Sequence, residues 1–334
     1  MLPNDSERSP QISIAMATYS GADYLEAQLE SLVQQTRLPA ELVVFDDQSS
    51  DATIEILERF KRTAPFRMYL SRNVERVGYA ANFARALSAC RGDMIFLCDQ
   101  DDFWLPQKIQ TVSDWFDRDP RDQVLVHDLE FCDSALQPIG QRKIERMASY
   151  TDPQESYVTG AATAVRRRFL QILFPFPNVE FIGHDDWIHQ CAHLIGGKEV
   201  LPDVLALYRR HGANATVGTA LNAARVTTRK EFTAGHATSN TRPTLHTRIV
   251  TWQLLADWLT KHKAILVENG YLELSRCNEL SEMMERKVRW AKQRYRNLAL
   301  PKYMRAVPVL VMLAQGGYSI FSGVKSAAKD IIVN

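Results

Sequence analysis

Three carboxylates fall within four consecutive positions at Asp99-Gln100-Asp101-Asp102, directly after the apolar run Met94–Cys98. Like charges this close repel, and they stay ionised together most easily with a cation or several hydrogen-bond donors among them. An apolar strand ending in such a cluster suits a divalent metal, and a metal beside a strand end suits phosphate chemistry. A strand-to-helix turn would account for one of the acids as a cap, with Asp102 the one placed for it.

Three other clusters carry chemistry. Asp46-Asp47-Gln48-Ser49-Ser50-Asp51 follows the apolar run Leu42–Phe45. Its carboxylates can accept hydrogen bonds from a nucleobase N–H or from ribose hydroxyls. The plainer reading is a turn with Asp51 as a helix N-cap. His184-Asp185-Asp186-Trp187 offers Asp185 as a general base while Asp186 caps a helix anchored by Trp187. Tyr208-Arg209-Arg210-His211 places adjacent cations where a diphosphate can bind and an imidazole where a metal can, although a solvated strand end explains the charges as well. His189 and His193 stand four apart, but Gln190 follows His189, so the zinc-protease pattern fails and both read as structural or solvated.

The elements that must position these clusters alternate along the first half of the chain. Ile12–Ala17, Leu42–Phe45, Arg67–Leu70, Met94–Cys98 and Val124–Val126 read as strands. Tyr24–Gln35, the segment after Asp51, Tyr79–Cys90 and Lys108–Phe116 read as helices, with Leu25, Leu29 and Leu32 on one face of the first. Such alternation predicts an α/β fold with a mostly parallel sheet covered on both faces. Ligands bind such sheets at the carboxyl ends of the strands, so Thr18-Tyr19, Asp46-Asp47 and Asp99–Asp102 should share one rim. From Cys132 to Tyr157 the pattern suggests loops or a hairpin. Helices are expected near Arg166–Leu173 and Asp186–Leu194, and a strand over Val200–Tyr208. Residues 216–242 read as a linker, and from Pro243 the signal is helical, with Ile249, Trp252, Leu255 and Leu259 on one face.

Bulk properties narrow the class. A chain of 334 residues suggests one large domain with an extension, or two domains. The net charge of +1 excludes a polyelectrolyte, yet Arg286–Arg305 holds eight Lys or Arg and no acid, leaving about −7 for the rest. Five cysteines without paired spacing (Cys90, Cys98, Cys132, Cys191, Cys277) fit buried thiols in a reducing compartment. The first ten residues lack the apolar core of a signal peptide, and no run is long enough to span a bilayer; Ala306–Ala314 is too short and contains Pro308. A cytoplasmic location is expected.

The motifs also come in a telling order: Thr18-Tyr19, Phe45–Asp51, Gly78-Tyr79-Ala80-Ala81-Asn82-Phe83, Asp99–Asp102, His184–Trp187 and Tyr208–Asn214. In this the chain resembles the family 2 glycosyltransferases of the GT-A fold, and more narrowly their bacterial rhamnosyltransferase-type members, over residues 10–215. The resemblance implies inverting transfer of a sugar from a nucleotide-diphosphate donor, dTDP-rhamnose among the candidates, with Mg²⁺ or Mn²⁺ as cofactor. It implies a growing surface polysaccharide or lipid-linked glycan as acceptor. By position, Asp46 and Asp47 match the nucleoside-binding acids, Tyr19 the stacking aromatic, and Thr18 and Asn82 neighbouring donor contacts. Asp99 and Asp101 match the Asp-x-Asp metal pair, Asp185 the catalytic base, and Arg210 and His211 the diphosphate and metal contacts. Similar proteins often read His-Asp-Trp-Trp; here Asp186 replaces the first Trp, so Asp185 and Asp186 both stand as candidates for the base.

The basic stretch 286–305 interleaves with Val288, Trp290, Tyr295, Leu298 and Tyr303. It suits a peripheral contact with the anionic inner face of the cytoplasmic membrane, or a solvated helix that packs its Trp inward; no nucleic-acid partner is expected. Two other functions compete with sugar transfer. A metal-dependent phosphotransferase or phosphatase would need a nucleophilic Asp with a Lys at another strand end. An inactive sugar-nucleotide-binding module would lack Asp185 or the acidic pair.

Overall fold

The computed structural model describes residues 11–149, 151–211 and 241–332. Its described residues form two units, one within Met1–Asn178 and Gly183–Phe232, the other within Val179–Ile182 and Thr233–Asn334.

The first unit is built on nine strands: β1 Ile12–Thr18, β2 Glu41–Asp46, β3 Arg67–Arg72, β4 Met94–Cys98, β5 Phe103–Trp104, β6 Val124–Cys132, β7 Pro138–Arg142, β8 Thr163–Arg166 and β9 Lys198–Arg209. Its helices are α1 Ala22–Val33, α2 Thr53–Lys61, α3 Tyr79–Ala89, α4 Lys108–Arg118, α5 Lys143–Ala148, α6 Pro153–Ser156, α7 Arg167–Leu173 and α8 His184–Ile195. The sheet runs β3-β2-β1-β4-β8-β6-β9-β5, with β7 paired to β6.

The apolar runs become central strands. Every residue of β4 is buried, as are all but one of β1, which is the pattern of a sheet covered on both faces. β3, at the edge, keeps most of its residues partly or fully exposed. The strands β1 to β4 pair in parallel, as the alternation predicts. Beyond β4 the sheet is mixed, because β8 lies antiparallel between β4 and β6. Thr163–Arg166 is too short for its own periodicity to register and runs straight into α7.

Register sets the rim. Met16 pairs with Cys98 and Thr18 with Asp46, so β1, β2 and β4 end at one level. β9 runs parallel to β6, pairing Phe131 with Tyr208 and Cys132 with Arg209, and delivers Arg210 beyond its end. The irregular segment after Cys132 is the β6–β7 hairpin followed by α5 and α6. All five cysteines are buried free thiols.

The second unit contains α9 Thr241–Glu268, α10 Leu274–Ala299, α11 Lys302–Ala314 and α12 Val324–Ile332. Leu245, Ala291 and Leu298 form one core with Ile249, Trp252 and Tyr295 against them. Val309, Met312, Tyr318 and Ala327 form another, with Trp290 packed on it. Trp290 and Tyr295 of the basic stretch therefore pack inward, whereas Tyr303 is exposed. Arg294 is buried too, its Nε and Nη2 each 2.7 Å from the Asp330 carboxylate. The linker expected over 216–242 lies outside the described residues, except that residues 241 and 242 already belong to α9.

Candidate active site

A cavity of about 670 Å³ opens at the carboxyl rim of the first unit. Thr18, Tyr19, Asp47 and Asn82 line one part, Asp99, Gln100 and Asp101 a second, and Lys143, His184, Asp185 and Arg210 a third.

On the β1–β2 side the polar groups mostly satisfy one another. Asp46 is fully buried and does not line the cavity; its carboxylate accepts from the Thr18 hydroxyl at 3.0 Å and from the Ser49 N–H at 2.9 Å. Asp47 lines the cavity while accepting from the Asn73 amide and from the Val77 and Gly78 N–H groups, all at 2.8 Å, which fixes the loop before α3. Asn82 donates to the Phe45 carbonyl at 2.7 Å, tying α3 to the end of β2. Tyr19 is half-exposed at the mouth, with the Arg76 guanidinium 3.9 Å from its ring centroid.

The acidic loop is held from both sides. Gln100 accepts from the Tyr19 N–H at 2.9 Å and donates to the Tyr19 carbonyl at 3.0 Å. A Cβ at Gly21 would stand 2.3 Å from the Gln100 amide, so a larger residue there would push Gln100 off Tyr19. Asp102 is fully buried and caps no helix; it accepts from the Arg209 N–H at 3.0 Å, and Arg209 Nε donates to the Asp101 carbonyl at 2.7 Å. Arg209 thus stitches β9 to the loop, while its neighbour Arg210 turns to the cavity. The His211 ring stacks near Tyr24, centroids 4.3 Å apart, and its Nε2 lies 2.9 Å from Asp101 Oδ2. Burial, then the charges of Asp101 and Asp185, push the Asp99 carboxyl up to about 7. Beneath the loop Lys108 is fully buried, donates to the Ala161 carbonyl at 2.7 Å, and is pushed down to about 7 by burial.

The opposite wall is the first turn of α8. Asp185 accepts from the Gly160 N–H at 3.1 Å and the Asp186 N–H at 3.0 Å. Burial raises its carboxyl, but the imidazoles of His184 and His189 and those two N–H groups more than offset it, so it lies below its ordinary value. The helix N-terminus favours the anion as well. A Cβ at Gly183 would come 2.7 Å from Asp185 Oδ1, so a larger residue there would displace that carboxylate. Asp186 does not line the cavity, and burial followed by the Asp185 charge pushes its carboxyl up. His184 stacks on Phe83 with centroids 4.2 Å apart, and neither of its ring nitrogens has a hydrogen-bond partner.

The glycosyl transferase family 2 model matches residues 13–174. Over these residues, just under half of the chain, the sequence is similar to a glycosyl transferase family 2 domain. The match stops short of α8, so Asp185, Asp186 and β9 lie beyond it. An uncharacterized protein, Rv1520, of Mycobacterium tuberculosis is 30% identical over 211 residues, covering 60% of this chain and 59% of its own length. The chain thus spans about three fifths of that curated relative. A dTDP-rhamnosyl transferase, RfbG, of Shigella flexneri is 34% identical over 103 residues, 30% of this chain and 36% of that protein. Among solved structures, S. aureus TarS 1–349 in complex with UDP-GlcNAc aligns over 96% of this chain and 88% of its own, at 16% identity and a TM-score of 0.52. That likeness shows the GT-A arrangement of sheet and helices.

Within this matched region and the elements just after it, the structure brings Thr18, Tyr19, Asp47, Asn82, Asp99, Asp101, Asp185 and Arg210 to one cavity. Asp46, Asp186 and His211 stand behind or beside its wall. Sequence reasoning missed Arg76, Lys143, Arg146 and His184 as lining residues. His184 carried a signal, standing next to Asp185; Lys143 and Arg146 carried none, because α5 is six residues long in an irregular segment.

The family's GT-A fold implies a divalent metal, and the residues fit one. Asp99 and Asp101 offer hard oxygen donors beside His211, and a cation would offset both the burial of the Asp99 carboxylate and the repulsion it meets from Asp101 and Asp185. Among the described residues no three His, Cys, Asp or Glu side chains form a closed metal cluster. A cation here would depend on water and phosphate oxygens to complete its shell, as Mg²⁺ commonly does.

Proposed function

We propose that this protein is an inverting glycosyltransferase that moves a sugar from a nucleotide-diphosphate donor to a hydroxyl of a growing or lipid-linked glycan. The observation that carries the reading is the placement of Asp185, on α8, in the same cavity as the Asp99–Asp101 loop and the end of β1. The domain that performs it spans residues 10–215, and residues 243–334 form a helical extension.

In this reading Tyr19 covers the nucleoside, and Thr18, Asp47 and Asn82 shape its bed. Asp46 acts from behind by holding Thr18 and Ser49. Arg210 and Lys143 attract the diphosphate. Asp99, Asp101 and His211 would hold Mg²⁺ or Mn²⁺, which when bound neutralises charge on the leaving diphosphate. Asp185 accepts the proton of the acceptor hydroxyl. That oxygen bonds to the anomeric carbon as the bond from the carbon to the diphosphate oxygen breaks, and the nucleoside diphosphate departs with the electron pair. A positioned base contributes on the order of 10²–10⁴ in rate. Asp185 suits this task better than Asp186, because Asp185 lines the cavity and Asp186 does not.

The donor we favour is dTDP-rhamnose, a choice supported by the likeness to the Shigella dTDP-rhamnosyl transferase. A phosphotransferase reading is weaker, because Asp46 and Asp47 spend their carboxylates on internal donors and neither is free as a nucleophile. The test is incubation with a panel of nucleotide sugars and Mn²⁺, reading nucleoside diphosphate release. Release from dTDP-rhamnose above the other donors is expected. Release from a different sugar nucleotide would replace the donor, and phosphate release from simple phosphomonoesters without sugar transfer would overturn the reading.

A further inference from the structure

Helix α11 is apolar on both sides. Val309 and Met312 face the core. On the opposite side Tyr303, Val307, Leu310 and Val311 are 86%, 73%, 55% and 50% exposed. Steps of four, three and one residues put these four on a single stripe of a helix with 3.6 residues per turn. A soluble helix ordinarily places polar residues there, and an apolar face left open marks an interaction site. Helix α12 repeats the arrangement: Ala327 is buried, while Val324 and Ile332 are 69% and 71% exposed with Lys325 exposed beside them.

The exposed charge carried by this segment has one sign. From Arg286 to the last residue the chain holds ten Lys or Arg and a single acid, Asp330. Asp330 is buried, taken by Arg294 and by the Tyr318 hydroxyl at 2.7 Å. No acid is therefore exposed on this part of the described surface. At 13 residues α11 is about 20 Å long, well under a bilayer core of roughly 30 Å. No helix among the described residues is long and apolar enough to cross a membrane.

We propose that α11 and α12 form a docking face for an anionic lipid bilayer. The apolar stripes enter the boundary between headgroups and acyl chains, and the surrounding Lys and Arg meet lipid phosphates. A second copy of the chain is a poorer occupant, since two faces of like charge would be brought together. A nucleic acid would leave the apolar stripe without a partner. The proposal deepens the reading of a lipid-linked acceptor, but vesicle binding is read without donor or acceptor.

The test is flotation of the full chain with phosphatidylcholine vesicles, with and without phosphatidylglycerol. Binding to the anionic vesicles is expected, weakening with salt. Val307→Asp with Leu310→Asp should lower it about tenfold or more, while circular dichroism stays unchanged. The milder pair Val307→Ser with Leu310→Ser should fall between, and Lys302→Glu with Lys325→Glu should affect the anionic vesicles alone. Three outcomes would overturn the proposal: equal vesicle binding by the Asp pair, no binding by wild type, or a wild-type dimer that the Asp pair separates without any vesicle binding. A wild-type chain that turns over donor but binds no vesicles would remove the docking face and leave sugar transfer standing; one that binds vesicles but turns over no donor would do the reverse.

Discussion

Gln100 and Tyr19 are joined by two hydrogen bonds, the Tyr19 N–H to Gln100 Oε1 and Gln100 Nε2 to the Tyr19 carbonyl. The amide side chain imitates a neighbouring strand. Sitting between Asp99 and Asp101, it moors the acidic loop to the end of β1, so the nucleoside side and the metal side of the cavity are set together. Gln100→Ala should weaken donor binding about tenfold, because two hydrogen bonds are lost and the loop is freed. Gln100→Glu should be worse, since it cannot donate to the Tyr19 carbonyl and adds a third charge beside Asp99 and Asp101. Calorimetric titration with the nucleoside diphosphate would measure both.

Gly183 gives a geometric test of the wall. A Cβ there would press on Asp185 Oδ1 at 2.7 Å. Gly183→Ala should lower kcat by about tenfold or more with little change in donor affinity, since a small displacement of a base costs rate rather than binding. Steady-state kinetics separates the two; a change in KM alone would place Gly183 in donor binding.

Lys143 provides the pH dependence. Burial pushes its ammonium down to about 8, against the pull of the Asp185 charge. The group is charged below that pH and neutral above it. Nucleoside diphosphate affinity should therefore be greatest below pH 8 and fall as the pH rises through it. Lys143→Met should bind more weakly at neutral pH and lose that decline. Titrations on either side of pH 8 would show it.

The helical unit offers a stability test. Arg294 and Asp330 are a buried, doubly bonded pair. Arg294→Ala leaves a buried carboxylate without its partner and should cost about 3–5 kcal/mol. Arg294→Met with Asp330→Leu should recover much of that. Urea unfolding followed by circular dichroism would measure both.

What the sequence disclosed follows from periodicity and polar punctuation. Continuous apolar runs such as Met94–Cys98 can only be buried strands or helix cores, and the acids closing them marked the rim. Other features depended on the third dimension. Arg209 and Arg210 read as equivalent cations, yet Arg209 ends β9 and bonds to the acidic loop while Arg210, just past the strand, lines the cavity, which only the paired sheet tells. Asp102 read as a cap, whereas it meets the Arg209 N–H, more than a hundred residues away in the chain. Lys143 sits in a segment without periodicity. The stripe on α11 was hidden because apolar residues fall on both sides of this helix, and which side is covered is decided by its neighbours.

The account rests on Asp185 as the base at a donor cavity. The most direct measurement is donor binding and sugar transfer by Asp185→Asn beside Asp186→Asn, at equal protein and Mn²⁺. Asp185→Asn should bind the nucleotide sugar as wild type does and transfer about 10²–10⁴ times more slowly, with Asp186→Asn within a few-fold of wild type. Wild-type transfer by Asp185→Asn, above all with Asp186→Asn inactive, would contradict it.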